Sequence, residues 1–235
     1  MKDEKNGMKL EIKIRKNLKE FALKADFTVD NGCTGLMGPS GSGKSMTLKC
    51  IAGIETPDEG VILLDGKPLF DSGRKINLSP QKRKIGYLFQ GYALFPNMTV
   101  EENIQCGLKA KKMPKTQREE RTQEMLARFQ IRELAGRYPR QLSGGQKQRA
   151  AIARLMAYEP EVILLDEPLS ALHDEMRAEL QQELAKMLAD FQRPSILVSH
   201  DIKEVRRLCQ KQYTIREGWI QPYTDFPQEK GRVPL

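Results

Sequence analysis

Gly38-Pro39-Ser40-Gly41-Ser42-Gly43-Lys44-Ser45 satisfies the spacing G-x-x-x-x-G-K-[ST] in full. Glycines at these places let backbone N–H groups curl around an anion without Cβ clashes. The run from Met46 to Ala52 reads as a helix, whose N-terminus adds partial positive charge at the same point. This is the chemistry of holding the phosphates of a nucleoside triphosphate. In it Lys44 reaches the β- and γ-phosphates and the Ser45 hydroxyl sits on Mg²⁺, with Met46 next in line at the helix start.

A second constellation lies 120 residues on. Val162-Ile163-Leu164-Leu165 is an apolar strand ending in Asp166 and Glu167. A carboxylate at a strand tip is where a phosphate-loop protein holds Mg²⁺, which assigns Asp166 to the metal. Glu167 is then placed to orient or deprotonate the water that attacks the γ-phosphate. A third constellation, Leu142-Ser143-Gly144-Gly145-Gln146, precedes a helical run from Lys147 to Tyr158. Ser143 is a natural N-cap, and the glycines leave backbone donors open, so this is another helix terminus suited to an anion. One nucleotide does not need two such sites.

The elements that must carry these residues follow from the pattern. Residues 8–30 alternate apolar and polar and predict an antiparallel β edge, turned by Asn31-Gly32 into the short strand 33–37 before the loop. Strands are also predicted at 61–64, 85–89 and 195–199. Between them, 100–111, 116–129 and 131–138 are helical in composition, so that 91–158 reads as a helical insertion between core segments 1–90 and 159–235. The whole is an α/β architecture with a mostly parallel sheet and chemistry at the strand C-termini.

The 235 residues, 39% apolar and 30% charged, suit a globular domain. No apolar run approaches the roughly 18 residues of a membrane span, and the charged N-terminus carries no secretory signal. Cys33, Cys50, Cys106 and Cys209 are scattered and only two histidines occur, which argues against a zinc site or a disulfide frame. The net charge of +8 suits a protein that handles ATP or lies near anionic lipid. The densest basic stretch, 109–121, has no interleaved aromatics and reads as a solvated helix face rather than a nucleic-acid surface.

Gly38–Ser45, Gln90, Leu142–Gln146, Val162–Glu167 and His200 stand in the order and approximate spacing of the ATP-binding cassette (ABC) ATPases, which the chain resembles over most of its length. The resemblance implies a phosphate-loop, RecA-like ATPase core with an antiparallel β edge and an inserted α-helical subdomain. It implies ATP and Mg²⁺ as ligands, Gln90 touching the metal and the attacking water, and His200 contacting the γ-phosphate. It also implies a head-to-tail homodimer in which 142–146 of one subunit caps the ATP held by 38–45 of the other, which accounts for the second anion site. His173 stands where the family carries an aspartate, with Asp174 beside it, and this leaves coupling between the two sites open. No aromatic residue stands near Asn17 and Leu18, the place of the usual adenine-stacking residue; Phe21 is nearest, and its alternation with Leu23 reads as core.

Within that family 69–72, 75–78 and 89–96 look like the ATP-binding subunits of molybdate importers, with sulfate, other oxyanion and polyamine importers close behind. The expectation is a peripheral subunit on the cytoplasmic face of the membrane. It meets a permease through an exposed patch of Tyr92, Leu94 and Phe95, and an extracytoplasmic solute-binding protein indirectly. The expectation is also that no further regulatory domain follows Trp219-Ile220. The competing reading is a soluble ABC ATPase working on nucleic acid or ribosomes.

Overall fold

The computed structural model describes residues 7–170 and 174–223. Period-two alternation makes β1 (Leu10–Asn17) and β2 (Ala22–Val29) an antiparallel pair, with Leu10 opposite Val29. β3 (Gly32–Met37) runs into the phosphate loop, and α1 (Lys44–Ala52) follows it. A meander of β4 (Glu59–Leu64), β5 (Lys67–Asp71) and β6 (Ile76–Asn77) extends the antiparallel side from β1. After β7 (Ile85–Leu88) come three helices, α2 (Val100–Ala110), α3 (Lys115–Arg128) and α4 (Gly144–Ala157). The chain closes through β8 (Val162–Asp166), α5 (Asp174–Phe191), β9 (Pro194–Val198), α6 (Ile202–Leu208), β10 (Lys211–Arg216) and β11 (Trp219–Pro222).

The strands form one sheet in the order β6-β5-β4-β1-β2-β11-β10-β3-β9-β8-β7. From β10 to β7 all neighbours are parallel, with Leu36 opposite Val198, Val198 opposite Asp166, and Leu88 opposite Leu165. That register brings four strand ends level, so the residues just beyond them (Gly38, His200, Glu167 and Gln90) emerge at one edge. β8 is buried along its whole length, as a strand covered on both faces must be. Ile163 and Leu165 face a core shared with α2 to α5, while Val162 and Leu164 face one shared with α1 and the antiparallel strands.

Arg83 is the largest fully buried side chain, 1% exposed. Its guanidinium donates to Cys50 O and Ile51 O at the end of α1, to Leu78 O and to Asn77 Oδ1, all at 2.8–2.9 Å. Gly53 makes room for it: a Cβ there would lie 2.5 Å from Arg83 Nε, and its φ of 77° closes α1 in the left-handed C-cap conformation.

Three expectations are corrected. Residues 131–138 are not an α-helix; they hold one 3₁₀ turn, Arg132–Leu134. Their carbonyls serve a neighbour instead, since Arg137 O and Ala135 O accept the first N–H groups of α2, from Val100 and Glu101. The helix behind Ser143 begins at Gly144 rather than Lys147. Tyr92 is buried, not exposed, and Leu94 packs partly buried against the helical core; only Phe95, 47% exposed, presents the apolar surface expected of the three. The reason is a tight reversal in which Tyr92 and Ala93 both take positive φ, 61° and 47°, and Arg154 fastens both carbonyls at 3.0 and 2.7 Å. That turn swings the Tyr92 ring inward.

The four cysteines are free thiols, and Cys33 and Cys209 touch through their sulfurs at 3.0 Å. Among the described residues no helix is long and apolar enough to cross a membrane.

Candidate functional site

Gly38, Gly41 and Gly43 take φ of 153°, 78° and 107°, and a Cβ on Gly38 would lie 2.5 Å from Ile215 O. Only glycine threads the loop this way, which is why the spacing in the sequence is so strict. Gly43 stands as N-cap of α1 without any side-chain cap, so the first N–H groups of the helix remain open to an anion. Within the loop Ser42 Oγ is buried with no hydrogen-bond partner, a donor suited to a phosphate oxygen. Pro39 and Ser40 form the exposed crest, and Met46 is half-buried in the first turn of α1.

Lys44 is 6% exposed and folds back to donate to Gly38 O and Pro39 O, both at 2.8 Å. Burial lowers its pKa, with the nearby Glu167 and Asp166 carboxylates opposing that shift. An anion in the loop would give the ammonium a stronger partner than two carbonyls.

At the tip of β8 the two carboxylates divide. Asp166, 6% exposed, accepts from Ser45 Oγ on Oδ1 at 2.9 Å and from Tyr87 Oη on Oδ2 at 2.8 Å. Burial first, then the charge and hydrogen bond of Asp166, raise the Tyr87 pKa, so the phenol stays protonated and donates. Glu167 turns away with φ of 47°, its N–H held by Val198 O at 3.0 Å and its carbonyl by Ser170 Oγ at 2.9 Å. Its Oε2 accepts from Gln90 Nε2 at 3.1 Å and lies 3.6 Å from His200 Nδ1. The fold thus joins Ser45 to Asp166, and Gln90 to Glu167 and His200, from segments as far as 121 positions apart.

His200 rests on a knot of short-range bonds. Ser199 Oγ accepts from Asp201 N at 3.0 Å and donates to Glu204 Oε2 at 2.7 Å, and Asp201 caps α6 by accepting from Lys203 N and Glu204 N. Glu204 is only 5% exposed, and burial raises its pKa against the opposing Ser199 hydrogen bond.

Ser45, Gln90 and Asp166 offer oxygen ligands and a single carboxylate, a donor set that suits a hard cation such as Mg²⁺ with phosphate oxygens completing its shell. Among the described residues no group of three His, Cys, Asp or Glu side chains could hold a metal by itself.

Ser143, Gly144, Gly145 and Gln146 open α4 elsewhere. Ser143 Oγ accepts from Gln146 N at 3.3 Å and Gln146 Oε1 accepts from Ser143 N at 3.0 Å, a reciprocal capping box. The Ser143 hydroxyl proton is left to donate elsewhere. Gly145 presses on α5, where a Cβ would lie 2.9 Å from Met176 Sδ. Arg149 fastens the two helices with bonds of 2.7–3.1 Å to Glu179 and Glu183. Among the described residues no hydrogen bond or ion pair joins 143–146 to 38–45. His173 lies outside the described residues.

One residue escaped the sequence reading, and Phe21 was read there only as core. Tyr87 was legible only as part of an apolar strand; the pairing that sets it two residues short of the β8 carboxylate appears only in the folded sheet. Phe21, half-buried, comes within 3.6 Å of a Cβ placed on Gly43, so it borders the phosphate loop as well as the core.

Comparison with known proteins fits this geometry. The family model described as ABC transporter matches residues 24–170. The sulfate/thiosulfate import ATP-binding protein CysA of Nocardia farcinica is 41% identical over 210 residues, 88% of this chain and 62% of that protein. The molybdenum import ATP-binding protein ModC of Paramagnetospirillum magneticum is 39% identical over 200 residues, 85% of this chain and 54% of that protein. The chain therefore spans little more than half the length of these relatives. Among solved structures, the dimeric post-hydrolysis state of the ATP-binding cassette MJ0796 bound to ADP and Pi superposes with a TM-score of 0.74 at 29% identity, covering 93% of this chain and all of that one. With the family model matched over residues 24–170 and relatives 39–41% identical across more than four fifths of its length, the chain belongs to the ABC transporter family.

Proposed function

We propose that this chain is the ATP-hydrolysing subunit of an importer, acting as a head-to-tail homodimer. The observation that carries the reading is the division of labour at β8. One carboxylate is hydrogen-bonded to the phosphate-loop serine, and its neighbour accepts from an amide and lies 3.6 Å from an imidazole at the same edge. Gly38 to Met46 hold the triphosphate, and Ser45, Gln90 and Asp166 would hold Mg²⁺, which would supply positive charge against the phosphate oxygens. Glu167 takes the proton of the attacking water, Gln90 orients that water and the carboxylate, and His200 donates to the γ-phosphate. Lys44 supplies positive charge where the leaving phosphate develops negative charge.

The second copy supplies Ser143 to Gln146. Their open N–H groups and hydroxyl proton lie with no bond to their own phosphate loop, which supports a partner's nucleotide as their target. Residues 1–235 form one nucleotide-binding domain, with 91–158 as its helical subdomain. The permease docks near Phe95 and Leu94, with Met98, 37% exposed, taking the place first given to Tyr92.

For cargo, relatives named for sulfate/thiosulfate import favour a sulfur oxyanion over molybdate, reversing the order drawn from 69–72, 75–78 and 89–96. Molybdate stands second, supported by the ModC relative. Glu167→Gln tests the core of the proposal. It should leave ATP-dependent dimers that survive size-exclusion chromatography and hydrolyse about 100-fold or more slowly. Full wild-type turnover at a protein concentration where the chain is monomeric, or a strictly monomeric E167Q with ATP bound, refutes the shared pocket.

A further inference from the structure

We propose that Tyr87 is a positioning residue for the metal carboxylate: its phenol fixes the Asp166 oxygen that Ser45 leaves unclaimed, and so strengthens divalent-cation binding beside the nucleotide. The inference rests on the reading of this edge as a Mg²⁺–nucleotide site and adds to it a residue that no motif contains.

The argument starts from a buried carboxylate. At 6% exposure Asp166 has little water to hydrate it, so the orientation of its two oxygens is decided by protein donors. Ser45 Oγ claims Oδ1 at 2.9 Å. With that bond alone the carboxylate could still swing about its Cβ–Cγ bond, because one hydrogen bond fixes a point and not a plane. Tyr87 Oη claims Oδ2 at 2.8 Å and supplies the second point. Two donors, one on each oxygen, lock the group while leaving each oxygen a further lone pair for a metal ion or a metal-bound water.

Tyrosine is suited to this place by reach. β7 pairs with β8 in parallel, Tyr87 opposite Leu164, so Asp166 lies two residues further along. At the rise of a strand that is about 6.6 Å, a span for a long side chain with a polar tip. The ring is steadied by Phe89, with centroids 4.3 Å apart and planes tilted by 36°. Phenylalanine at 87 would keep this packing and lose only the bond. Outer partners of metal ligands act in this way, and losing one weakens metal binding about 10- to 100-fold.

The test is Tyr87→Phe in the full chain, read without turnover. Mn²⁺ binding to protein saturated with ADP is followed by loss of the free-Mn²⁺ paramagnetic resonance signal against protein-free ADP blanks. ADP binding in excess EDTA and the melting temperature serve as metal-free controls. Expected is a Mn²⁺ affinity about 10- to 100-fold lower than wild type, with EDTA-phase ADP affinity and melting temperature unchanged. A Mn²⁺ affinity within about threefold of wild type overturns the role, as does an equal loss of ADP affinity in EDTA, which would assign Tyr87 to packing. Tyr87→Leu separates the two further, since it should lower the melting temperature as well as Mn²⁺ affinity. A wild-type protein whose ADP complex gains no Mn²⁺ over the blank refutes the parent reading of the site instead.

Discussion

Arg83→Met asks how far the nucleotide-side helix depends on one buried cation. Arg83 donates four hydrogen bonds, two of them to Cys50 O and Ile51 O, which belong to the unsatisfied carbonyls at the end of α1. Bonds from a charged donor contribute about 1.5–3 kcal/mol each when measured singly, so a plain sum would reach roughly 6–12 kcal/mol. That sum is too large. Cys50 O keeps a second donor in Gly53 N, and methionine does not incur the desolvation of a guanidinium, whose pKa is already lowered by burial. What remains is the desolvation of acceptors left without their donor, about 1–3 kcal/mol each, and a loss of roughly 3–5 kcal/mol is expected here. For a chain of this size each kcal/mol moves the melting temperature by about 2–4 °C, which gives a fall of roughly 6–20 °C. Urea unfolding followed by far-ultraviolet circular dichroism measures the free energy, and calorimetry the temperature. A loss below about 1 kcal/mol would refute the claim that Arg83 clamps α1.

Two further outcomes follow from packing and titration. Gly35→Ala would set a Cβ 2.2 Å from Val205 Cγ1, between β3 and α6, and should destabilise by about 1–3 kcal/mol in urea unfolding; a neutral result would mean the two elements slide apart freely. Glu204 has a native pKa raised by burial, so the folded chain takes up its proton before the unfolded chain does. Stability should therefore rise as pH falls from the raised native value toward the ordinary carboxylate value, and the Glu204→Gln minus wild-type difference should flatten outside that window. A difference curve with no slope there would remove Glu204 as the titrating group.

The parts of the site that a sequence reveals are those whose chemistry is local. The phosphate loop needs positive φ at fixed places, and a capping box needs Ser and Gln three apart, so both are written in consecutive residues. The carboxylates at the end of β8 were legible because a strand buried on both faces has to be apolar until it stops. What stayed hidden depends on the register between distant strands. Tyr87 meets Asp166 only because β7 and β8 align Leu88 with Leu165. Arg83 belongs to no pattern in the sequence, and its burial depends on Gly53 and the end of α1 closing over it. The 131–138 stretch has helical composition, yet its carbonyls are drawn off to serve the start of α2. The Tyr92 ring turned inward because a two-residue left-handed reversal, invisible to apolar patterning, redirected it.

Glu167 holds its carboxylate on a backbone bent to φ of 47°, a conformation that stores about 1 kcal/mol or more in a residue with a Cβ. Glycine at 167 would relax that bend while deleting the carboxylate. Selection for heat resistance alone would thus reward loss of the very group on which turnover is proposed to depend, and an inert chain could emerge from such a screen looking like an improved one.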